Sequence, residues 1–256
     1  MKIISYNVNG IRSTISKGLF EWLEQENPDI FCIQETKAQP EQIDTLLFRS
    51  LGYGYQLIHS AQKKGYSGVA IFSKVQADFH RFGIGNSFFD NEGRVIRADF
   101  GDLTVVCVYI PSGSMGDARQ ALKMEFLELF TKYLLQLREE RPRLVVCGDY
   151  NICHKPIDIN HPERHTTVSG FLPEEREWFD RLIELGFVDS FRQFNHEPNQ
   201  YSWWSFRSNA RAKNLGWRID YHIVTENLKD RLANACILQQ VEMADHCPVV
   251  VELTGG

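Results

Sequence analysis

The stretch Leu144-Val-Val-Cys-Gly-Asp-Tyr-Asn151 places a carboxylate and an amide directly after a short apolar run. Leu144 to Cys147 has the continuous apolar character of a strand that is buried on both faces. If the extended conformation continues, Asp149 and Asn151 point to the same side, because residues two apart share a face of a strand. The alternative interpretation is an ordinary Gly-Asp turn with a polar tip.

Several other apolar runs also end in acids, amides or histidine. Close carboxylates repel each other unless a cation lies between them, and Mg²⁺ is a cation that prefers oxygen ligands. Such a site, with His and Tyr nearby, fits hydrolysis of a phosphate ester, in which a carboxylate activates water and the other groups stabilise the transition state. The residues at or near the ends of predicted strands are Asn7, Glu35, Asp149, Asn151, Asp220, Asp245 and His246.

The apolar patterns predict more strands than helices. Hairpins mix with helical crossovers, which favours an α/β sandwich with mixed sheets over a doubly wound parallel sheet. Helices are predicted from about Gly18 to Pro28, from Asp117 to about Glu139, and from Pro173 to Gly186. Strands are predicted over residues 2–6, 30–33, 68–72, 94–100, 103–110, 144–147, 201–206, 219–224 and 248–253.

Composition is that of an ordinary globular protein. The chain has 256 residues, of which 43% are hydrophobic and 24% are charged. This length and the lack of a low-complexity linker predict a single domain over residues 1–256. The net charge of −5 argues against indiscriminate binding to polyanions, but basic residues cluster at Lys63-Lys64 and within 207–218.

The N-terminus runs straight into a strand pattern without a signal peptide. No apolar run approaches the roughly 20 residues that a membrane helix needs, so we expect a cytoplasmic protein that does not bind membranes. Six cysteines are scattered without a Cys-x-x-Cys pair. They predict buried thiols in a reducing compartment rather than structural zinc or disulfides.

Nine short motifs, in order along the chain, resemble the exonuclease III branch of the endonuclease/exonuclease/phosphatase family, the class II AP endonucleases. Each motif alone is weak, but nine in the same order are specific. The segments 201–204 and 209–217 look like the DNA-repair branch. The motifs are Ser5-Tyr-Asn-Val-Asn-Gly-Ile-Arg12, Gln34-Glu-Thr-Lys37, Gly65-Tyr-Ser-Gly68, Glu92-Gly-Arg94, Tyr109-Ile-Pro111, Gly148-Asp-Tyr-Asn151, Gly170-Phe-Leu-Pro-Glu-Glu-Arg176, Gly216-Trp-Arg-Ile-Asp-Tyr221 and Asp245-His-Cys-Pro248.

The resemblance implies a four-layer α/β sandwich, in which two mixed sheets pack face to face and are flanked by helices. It implies a Mg²⁺-dependent DNA repair nuclease, with Mn²⁺ as a substitute ion. The expected substrate is double-stranded DNA with abasic sites or 3′ ends, cut 5′ of the abasic site and trimmed at the 3′ end. We also expect a monomer.

The resemblance assigns roles to the polar strand ends. Glu35 is expected to be the main metal ligand, with Asn7, Asn9 and Asp245 near the ion. A carboxylate such as Glu35 gives the metal an anionic anchor that no amide supplies.

Catalytic roles fall to five residues by the same resemblance. Asp149 is expected to activate or hold the attacking water, helped by Asn151. His246 is expected to contact the scissile phosphate while Asp220 orients it, since an Asp–His pair fixes the imidazole tautomer and favours its charged form. Tyr109 is expected to lie against the phosphate.

DNA contacts are expected in loops around the site. Trp203 and Trp217 match positions that wall the pocket for a flipped-out abasic sugar, although core packing is the alternative interpretation. Arg207 matches the position of a side chain inserted into the duplex, with a solvated loop charge as the alternative. Phosphate contacts, which set register rather than sequence, are expected from Arg12, Lys64, Gly65 and Tyr66.

Three positions depart from the family pattern. Ser112, which the resemblance also implies as a DNA contact, stands where many members have Asn or Gln, and Met115 stands where some have Arg. Either His165 occludes the sugar pocket or it is a surface loop residue. These departures leave open the balance between abasic-site cleavage and 3′-end processing.

Two other functions are consistent with the fold. The turn Pro111-Ser-Gly-Ser-Met-Gly-Asp117 is similar to one in a catabolite repression control protein, which predicts a catalytically silent RNA- or protein-binding regulator. Such a regulator would not need the full set of acids and His246. A phosphodiesterase for lipids or nucleotides is the third hypothesis, and the aromatic and basic segment 201–217 argues against it.

Overall fold

The computed structural model describes residues 1–255, and over that range two six-stranded β-sheets pack face to face with helices on their outer sides. Both sheets are mixed, since each contains one parallel pair among antiparallel ones. This arrangement confirms the predicted four-layer α/β sandwich.

The first sheet carries the two ends of the chain. The parallel pair is β1 with β2, and their partners are antiparallel. In spatial order its strands are β13 (Leu232–Ile237), β14 (Val249–Leu253), β1 (Lys2–Asn7), β2 (Ile30–Gln34), β4 (Val69–Ser73) and β3 (Tyr55–His59).

The second sheet is built from the middle of the chain. Its parallel pair is β7 with β8, joined by the long crossover helix, and β8 pairs antiparallel with β12. In spatial order its strands are β5 (Phe79–Phe82), β6 (Val95–Phe100), β7 (Leu103–Tyr109), β8 (Arg143–Asp149), β12 (Asp220–Thr225) and β9 (Phe187–Asp189).

An apolar core fills the space between the sheets. Side chains such as Ile3 and Cys32 from the first sheet meet Val105 and Val145 from the second, and all four are fully buried. Burial of this kind contributes about 25 cal/mol per Å² of apolar surface, which makes it the main force that aligns the two sheets. The sheets in turn fix where their strand ends meet.

Helices cover both outer faces. The helix α5 lies on the second sheet with Phe126 and Phe130 buried, and α6 adds Trp178 and Phe179. The helices are α1 (Ile11–Ile15), α2 (Leu19–Glu26), α3 (Thr45–Ser50), α4 (Ser87–Asp90), α5 (Asp117–Glu140), α6 (Pro173–Glu184) and α7 (Ser190–Phe194).

The predicted aromatic strand over 201–206 is wrong in its length. The structure has a two-residue strand, β10 (Trp203–Trp204), which pairs with β11 (Gly216–Trp217). The neighbouring backbone turns away to other partners, because Trp204 N–H donates to the carbonyl of Asp245 and Phe206 lies exposed in a turn. The two short strands form a small separate sheet, and the side chains of Trp203 and Trp217 line a cavity.

Five strands, β3, β5, β9, β11 and β13, were not predicted. They lie at or next to sheet edges, and β5 is exposed at each of its four residues. An edge strand such as Phe79–Phe82 is held by backbone bonds to one neighbour and lacks the apolar run or alternation by which strands are predicted.

All six cysteines are free thiols in the described chain, and five of them are buried. Over residues 1–255, none of the helices combines the length and apolar character needed to cross a membrane.

Candidate active site

Strand register brings the polar strand ends to one rim of the sandwich. In the first sheet, parallel pairing sets Asn7 beside Gln34, so Glu35 follows at the same edge. In the second sheet, Asp149 pairs with Tyr109 of β7 and Asp220 of β12. The two sheets therefore present their acids to the same cleft.

Asn7 joins the two sheets. Its side-chain Nδ2 donates to Glu35 Oε1 at 3.0 Å and to Asp149 Oδ2 at 2.9 Å. Asn7 is fully buried, and its bond to Asp149 is shielded from water. The bond to Asp149 joins two residues that are 142 positions apart in sequence and lie in different sheets.

Glu35 forms an ion pair with Lys37. Its Oε2 lies 2.7 Å from the Lys37 ammonium, and both residues adopt left-handed backbone conformations. Burial raises the pKa of Glu35, but the charge of Lys37 and the hydrogen bond from Asn7 outweigh burial and lower that pKa below its usual value. Glu35 is therefore an anion that a cation can bind.

Asp149 is almost completely buried at the end of β8. Its Oδ1 accepts the Asn151 backbone N–H at 2.8 Å, and Asn151 Nδ2 is 3.3 Å from its Oδ2. Burial raises the pKa of Asp149, and the charges of Asp220 and Glu35 raise it further, although His246 opposes them. Three crowded carboxylates thus favour either a proton or a cation here.

His246 is held by Asp220. The His246 Nδ1 to Asp220 Oδ2 distance is 2.8 Å, which leaves Nε2 facing Asp149, 3.9 Å from its Oδ2. Burial lowers the pKa of His246, but the nearby carboxylates, Asp220 first, raise it well above its usual value. Ser202 donates to the same Asp220 oxygen at 2.7 Å. The imidazolium is therefore oriented and kept charged.

Asp245 and Asn9 lie beside this group. Asn9 Nδ2 donates to Asp245 Oδ1 at 2.9 Å, and Trp203 Nε1 donates to Asp245 Oδ2 at 3.1 Å. Lys37 Nζ also donates to the Asn9 side-chain oxygen. Asp245 thereby connects the Asn9 and Lys37 side of the cleft with its aromatic wall.

The cleft opens into a cavity of about 320 Å³. The indole rings of Trp203 and Trp217 meet edge to face, 5.9 Å apart, and form one wall. Both rings are half-buried, so each keeps a face toward the cavity. The lining residues are Glu35, Tyr109, Ser112, Ser114, Asp149, Asn151, Val168, Ser169, Gly170, Trp203, Trp217, Ile219, Asp245 and His246.

Of the residues predicted to contact DNA, Ser112, Trp203 and Trp217 line the cavity itself. Arg12 and Gly65 line a separate shallow depression that also contains Lys37. The remaining predicted contacts stand on surrounding loops, with Lys64 and Arg207 exposed and Tyr66 half-buried.

Tyr66 is fixed by arginines. Its hydroxyl accepts from Arg94 Nη2 at 2.9 Å and from Arg119. Arg94 is 1% exposed and also donates to the Tyr109 carbonyl at 3.0 Å, so it connects the Tyr66 loop to the cavity. This gives Arg94 a supporting role that the sequence motif did not specify.

His165 packs against Trp217, with ring centroids 5.1 Å apart and the imidazole half-buried. It is not among the cavity-lining residues of the described chain. Met115 is 87% exposed, in the loop that follows the cavity residues Ser112 and Ser114. Phe206 is 74% exposed, in the turn that follows Trp203 and Trp204.

The donor set fits a divalent cation. Glu35, Asp149 and His246 each bring one side-chain nitrogen or oxygen to within 4.8 Å of the others, and the two carboxylates among them can bind a cation directly. The imidazole is already committed to Asp220 through Nδ1, whereas the carboxylates and nearby amides are the oxygen ligands that Mg²⁺ and Mn²⁺ prefer. The crowded carboxylates would be stabilised by such an ion.

Sequence reasoning missed Ser202 and Lys37 as site residues. Ser202 Oγ accepts the backbone N–H groups of Ile219 and Asp220, each at 3.1 Å, while donating to the Asp220 carboxylate. A lone Ser in an aromatic stretch gives no signal of this. Lys37 lies in the motif Gln34-Glu-Thr-Lys37, only two residues after Glu35, and this spacing could have indicated the ion pair between them.

A buried ion network supports the wall from behind. Arg218 is fully buried, and its Nε donates to Asp158 Oδ1 at 2.8 Å while its Nη2 donates to Asp189 Oδ2 at 2.6 Å. Arg192 adds a second contact to Asp158. Burial raises the pKa of Asp158, but the two arginines, Arg218 first, lower it to about 2.

Asp158→Asn is expected to destabilise the fold at neutral pH. Because the folded pKa lies below the unfolded one, the charge of Asp158 stabilises the fold above about pH 4, and this contribution is lost as pH falls through about 2. We expect a loss of roughly 2–4 kcal/mol at pH 7 that shrinks below pH 3. Urea unfolding of the wild type and the variant at pH 7 and at pH 2 measures this difference in the free energy of unfolding.

The matched control is Asp102→Asn, which removes the exposed pair with Arg143 and should cost roughly 0–1 kcal/mol. A loss at Asp158 that is equal at pH 7 and pH 2 would contradict the assigned charge.

The chain matches the Endonuclease/Exonuclease/phosphatase family over residues 4–238. It is 43% identical over 251 residues to an exodeoxyribonuclease of Bacillus subtilis (strain 168), covering 97% of this chain and 98% of that one. A solved AP endonuclease from Archaeoglobus fulgidus superposes with a TM-score of 0.91 at 30% identity, over 100% of both chains. A 3′ phosphatase from Neisseria, bound to a product DNA hairpin, gives 0.90 at 27% identity, also over 100% of both.

Proposed function

This chain belongs to the endonuclease/exonuclease/phosphatase family and is a DNA repair nuclease, and from that premise we propose that it cuts duplex DNA 5′ of abasic sites and trims 3′ ends with Mg²⁺. The observation that supports the proposal most is the approach of Glu35, Asp149 and His246 to within 4.8 Å of one another. The silent-regulator alternative is not favoured.

Asp149 is proposed to accept a proton from the attacking water. A buried carboxyl whose pKa is raised is a better base than an ordinary aspartate, because its proton affinity is closer to that needed near neutral pH. Asn151 bonds both oxygens of Asp149, through its backbone N–H and its side-chain amide. These bonds fix the orientation of the carboxylate that would accept the proton.

His246 is proposed to donate from Nε2 to a phosphate oxygen while Asp220 holds its Nδ1. Burial raises the pKa of Tyr109, and Glu35 and Asp149 raise it further, so its phenol stays protonated and can donate to the same phosphate. Such preorganised donors stabilise negative charge more in the transition state than in the substrate.

Glu35 would anchor Mg²⁺, with Asn7, Asn9 and Asp245 near the ion. When bound, the ion supplies positive charge that stabilises the phosphoryl oxygens. Mn²⁺ is proposed as a substitute, since it accepts the same oxygen ligands.

The DNA is proposed to lie across the rim, with Arg12, Lys64, Gly65 and Tyr66 at its phosphates. Trp203 and Trp217 would enclose a sugar that lacks its base, since flipping such a nucleotide costs the least unstacking energy. Ser112 would face the substrate from the opposite loop, and Arg207 would reach the duplex.

We further propose a cytoplasmic monomer in which residues 1–256 form one catalytic domain. The free, mostly buried thiols of the described chain are consistent with a reducing compartment. Light scattering after size exclusion measures the oligomeric state.

Four substrates test the proposed activity: an abasic duplex, a recessed 3′ end, a 3′-phosphate and RNA, each with Mg²⁺ or EDTA. We expect cleavage of the abasic duplex and release from 3′ ends with Mg²⁺, and at least a 100-fold lower rate with EDTA, because the metal stabilises the transition-state charge. Binding of RNA without cleavage of any DNA would contradict the proposal and support the silent regulator.

A further inference from the structure

A buried ion pair lies behind the active site. Lys123 of α5 and Glu175 of α6 contact each other through Nζ and Oε1, and both side chains are completely buried. Given the proposed function, we infer that Lys123 and Glu175 are positioning residues that hold the Asp149–Asn151 turn and the cavity wall at Gly170 in catalytic alignment.

The Lys123 side of the pair reaches the catalytic turn. Its ammonium donates to the Asn151 backbone carbonyl at 2.8 Å. Asn151 has a left-handed backbone, with φ of 51°, and its N–H donates to the Asp149 carboxylate. Lys123 therefore fixes the carbonyl of Asn151, while the N–H of the same residue is bonded to Asp149.

The Glu175 side of the pair reaches the cavity wall. Its Oε2 accepts the backbone N–H of Gly170 at 2.6 Å and that of Leu172 at 3.0 Å. Its Oε1 accepts Gln120 Nε2 at 3.1 Å, and the Ser169 hydroxyl lies 3.3 Å away. Ser169 and Gly170 both line the cavity. One carboxylate thus organises this whole loop.

Gly170 couples the loop to the aromatic wall. A β-carbon at this position would lie 2.9 Å from Cζ3 of Trp217 and 3.2 Å from the Asn151 carbonyl oxygen, so the backbone packs directly against both. Gly170 also accepts the Cys153 N–H at 2.7 Å. A shift of Gly170 would move the Trp217 ring and the Asn151 peptide together.

Stability alone does not account for the pair. Burial of two charges carries a desolvation penalty that their attraction barely offsets, so apolar pairs of similar volume are often as stable. The same two helices already dock through the Trp178 indole, whose N–H donates to Leu127 and Thr131. The bonds from the pair to Asn151, Gly170 and Leu172 are what an apolar pair cannot supply.

The test compares Lys123→Met, Glu175→Gln and the double variant Lys123→Met/Glu175→Leu on an abasic duplex. For Lys123→Met we expect kcat on the order of 10- to 100-fold lower with KM within about threefold, because displacement of reacting groups costs that much. For Glu175→Gln we expect both a lower kcat and a higher KM, since the pocket wall moves too.

The double apolar variant separates positioning from stability. We expect its urea midpoint to be at least as high as that of either single variant, because no charge is left unpaired, while its kcat stays about tenfold or more below that of the wild type. Recovery of kcat together with the midpoint would overturn the inference. The matched control is Glu128→Gln, which removes the exposed Glu128–Arg181 pair between the same helices and should leave kcat and KM unchanged.

Amide hydrogen exchange tests the same inference without catalysis. We expect faster exchange at Asn151 in Lys123→Met and at Gly170 in Glu175→Gln, relative to Glu128→Gln. Unchanged exchange at both amides would overturn the inference even if the enzyme is active. A wild-type protein that cleaves none of the DNA substrates would instead refute the proposed function and leave the exchange result to stand alone.

Discussion

Asp149→Asn is expected to abolish phosphodiester cleavage while the protein remains folded and still binds DNA. We expect kcat to fall on the order of 10³-fold, because the amide cannot accept the proton of the attacking water. Affinity for an abasic duplex in EDTA should change by less than about threefold, since catalysis depends on contacts that ground-state binding does not need. Single-turnover cleavage and fluorescence anisotropy measure the two effects.

A control for Asp149→Asn is Asp230→Asn, an exposed acid that follows β12, which should retain the wild-type rate. Far-UV circular dichroism establishes that the variant is folded. Wild-type cleavage by Asp149→Asn would remove the central residue from the proposed mechanism.

Glu35→Gln is expected to weaken metal binding and catalysis together. The amide keeps the size of the side chain but loses the charge that anchors a divalent ion. We expect the Mg²⁺ concentration for half-maximal cleavage to rise at least about tenfold, and kcat at saturating Mg²⁺ to fall on the order of 10²-fold. Cleavage rates over a Mg²⁺ titration measure both.

Substitution of Lys37 is a control for the Mg²⁺ requirement, because its expected effect is opposite in direction to that of Glu35→Gln. Since its ammonium pairs with Glu35 at 2.7 Å, Lys37→Met removes a cation that would compete with Mg²⁺ for this carboxylate. It should leave the half-maximal Mg²⁺ concentration unchanged or lower it, and the exposed Glu41→Gln should have no effect. An unaltered Mg²⁺ requirement in Glu35→Gln would exclude Glu35 as the anchor.

The polar strand ends could be predicted from sequence because apolar runs reveal buried strands. Asp149 and Glu35 each follow such a run, and the fold then brings them together. The aromatic segment 201–206 misled about strand length for the same reason, since only Trp203 and Trp204 form a strand, and the Trp203 ring lines the cavity. Local pattern predicts an element but does not identify its neighbours.

Lys123 shows where sequence reasoning reaches its limit. A lysine within a helix is normally exposed, yet this one is completely buried because Glu175 and the Asn151 carbonyl receive it. Those partners are 52 and 28 residues away, so only the packed fold reveals them. Ser202 was missed for the same reason, because its partner Asp220 is 18 residues away.

Asn7 gives the enzyme a dependence on the spacing of its two layers. Its amide spans from the acid of one sheet to the acid of the other, so the cleft is correct only when both layers sit in the right relation. On warming, or after core mutations that shift one sheet relative to the other, we therefore expect cleavage activity to be lost before the strands unfold. Activity should then report a displacement of the sheets that circular dichroism does not detect.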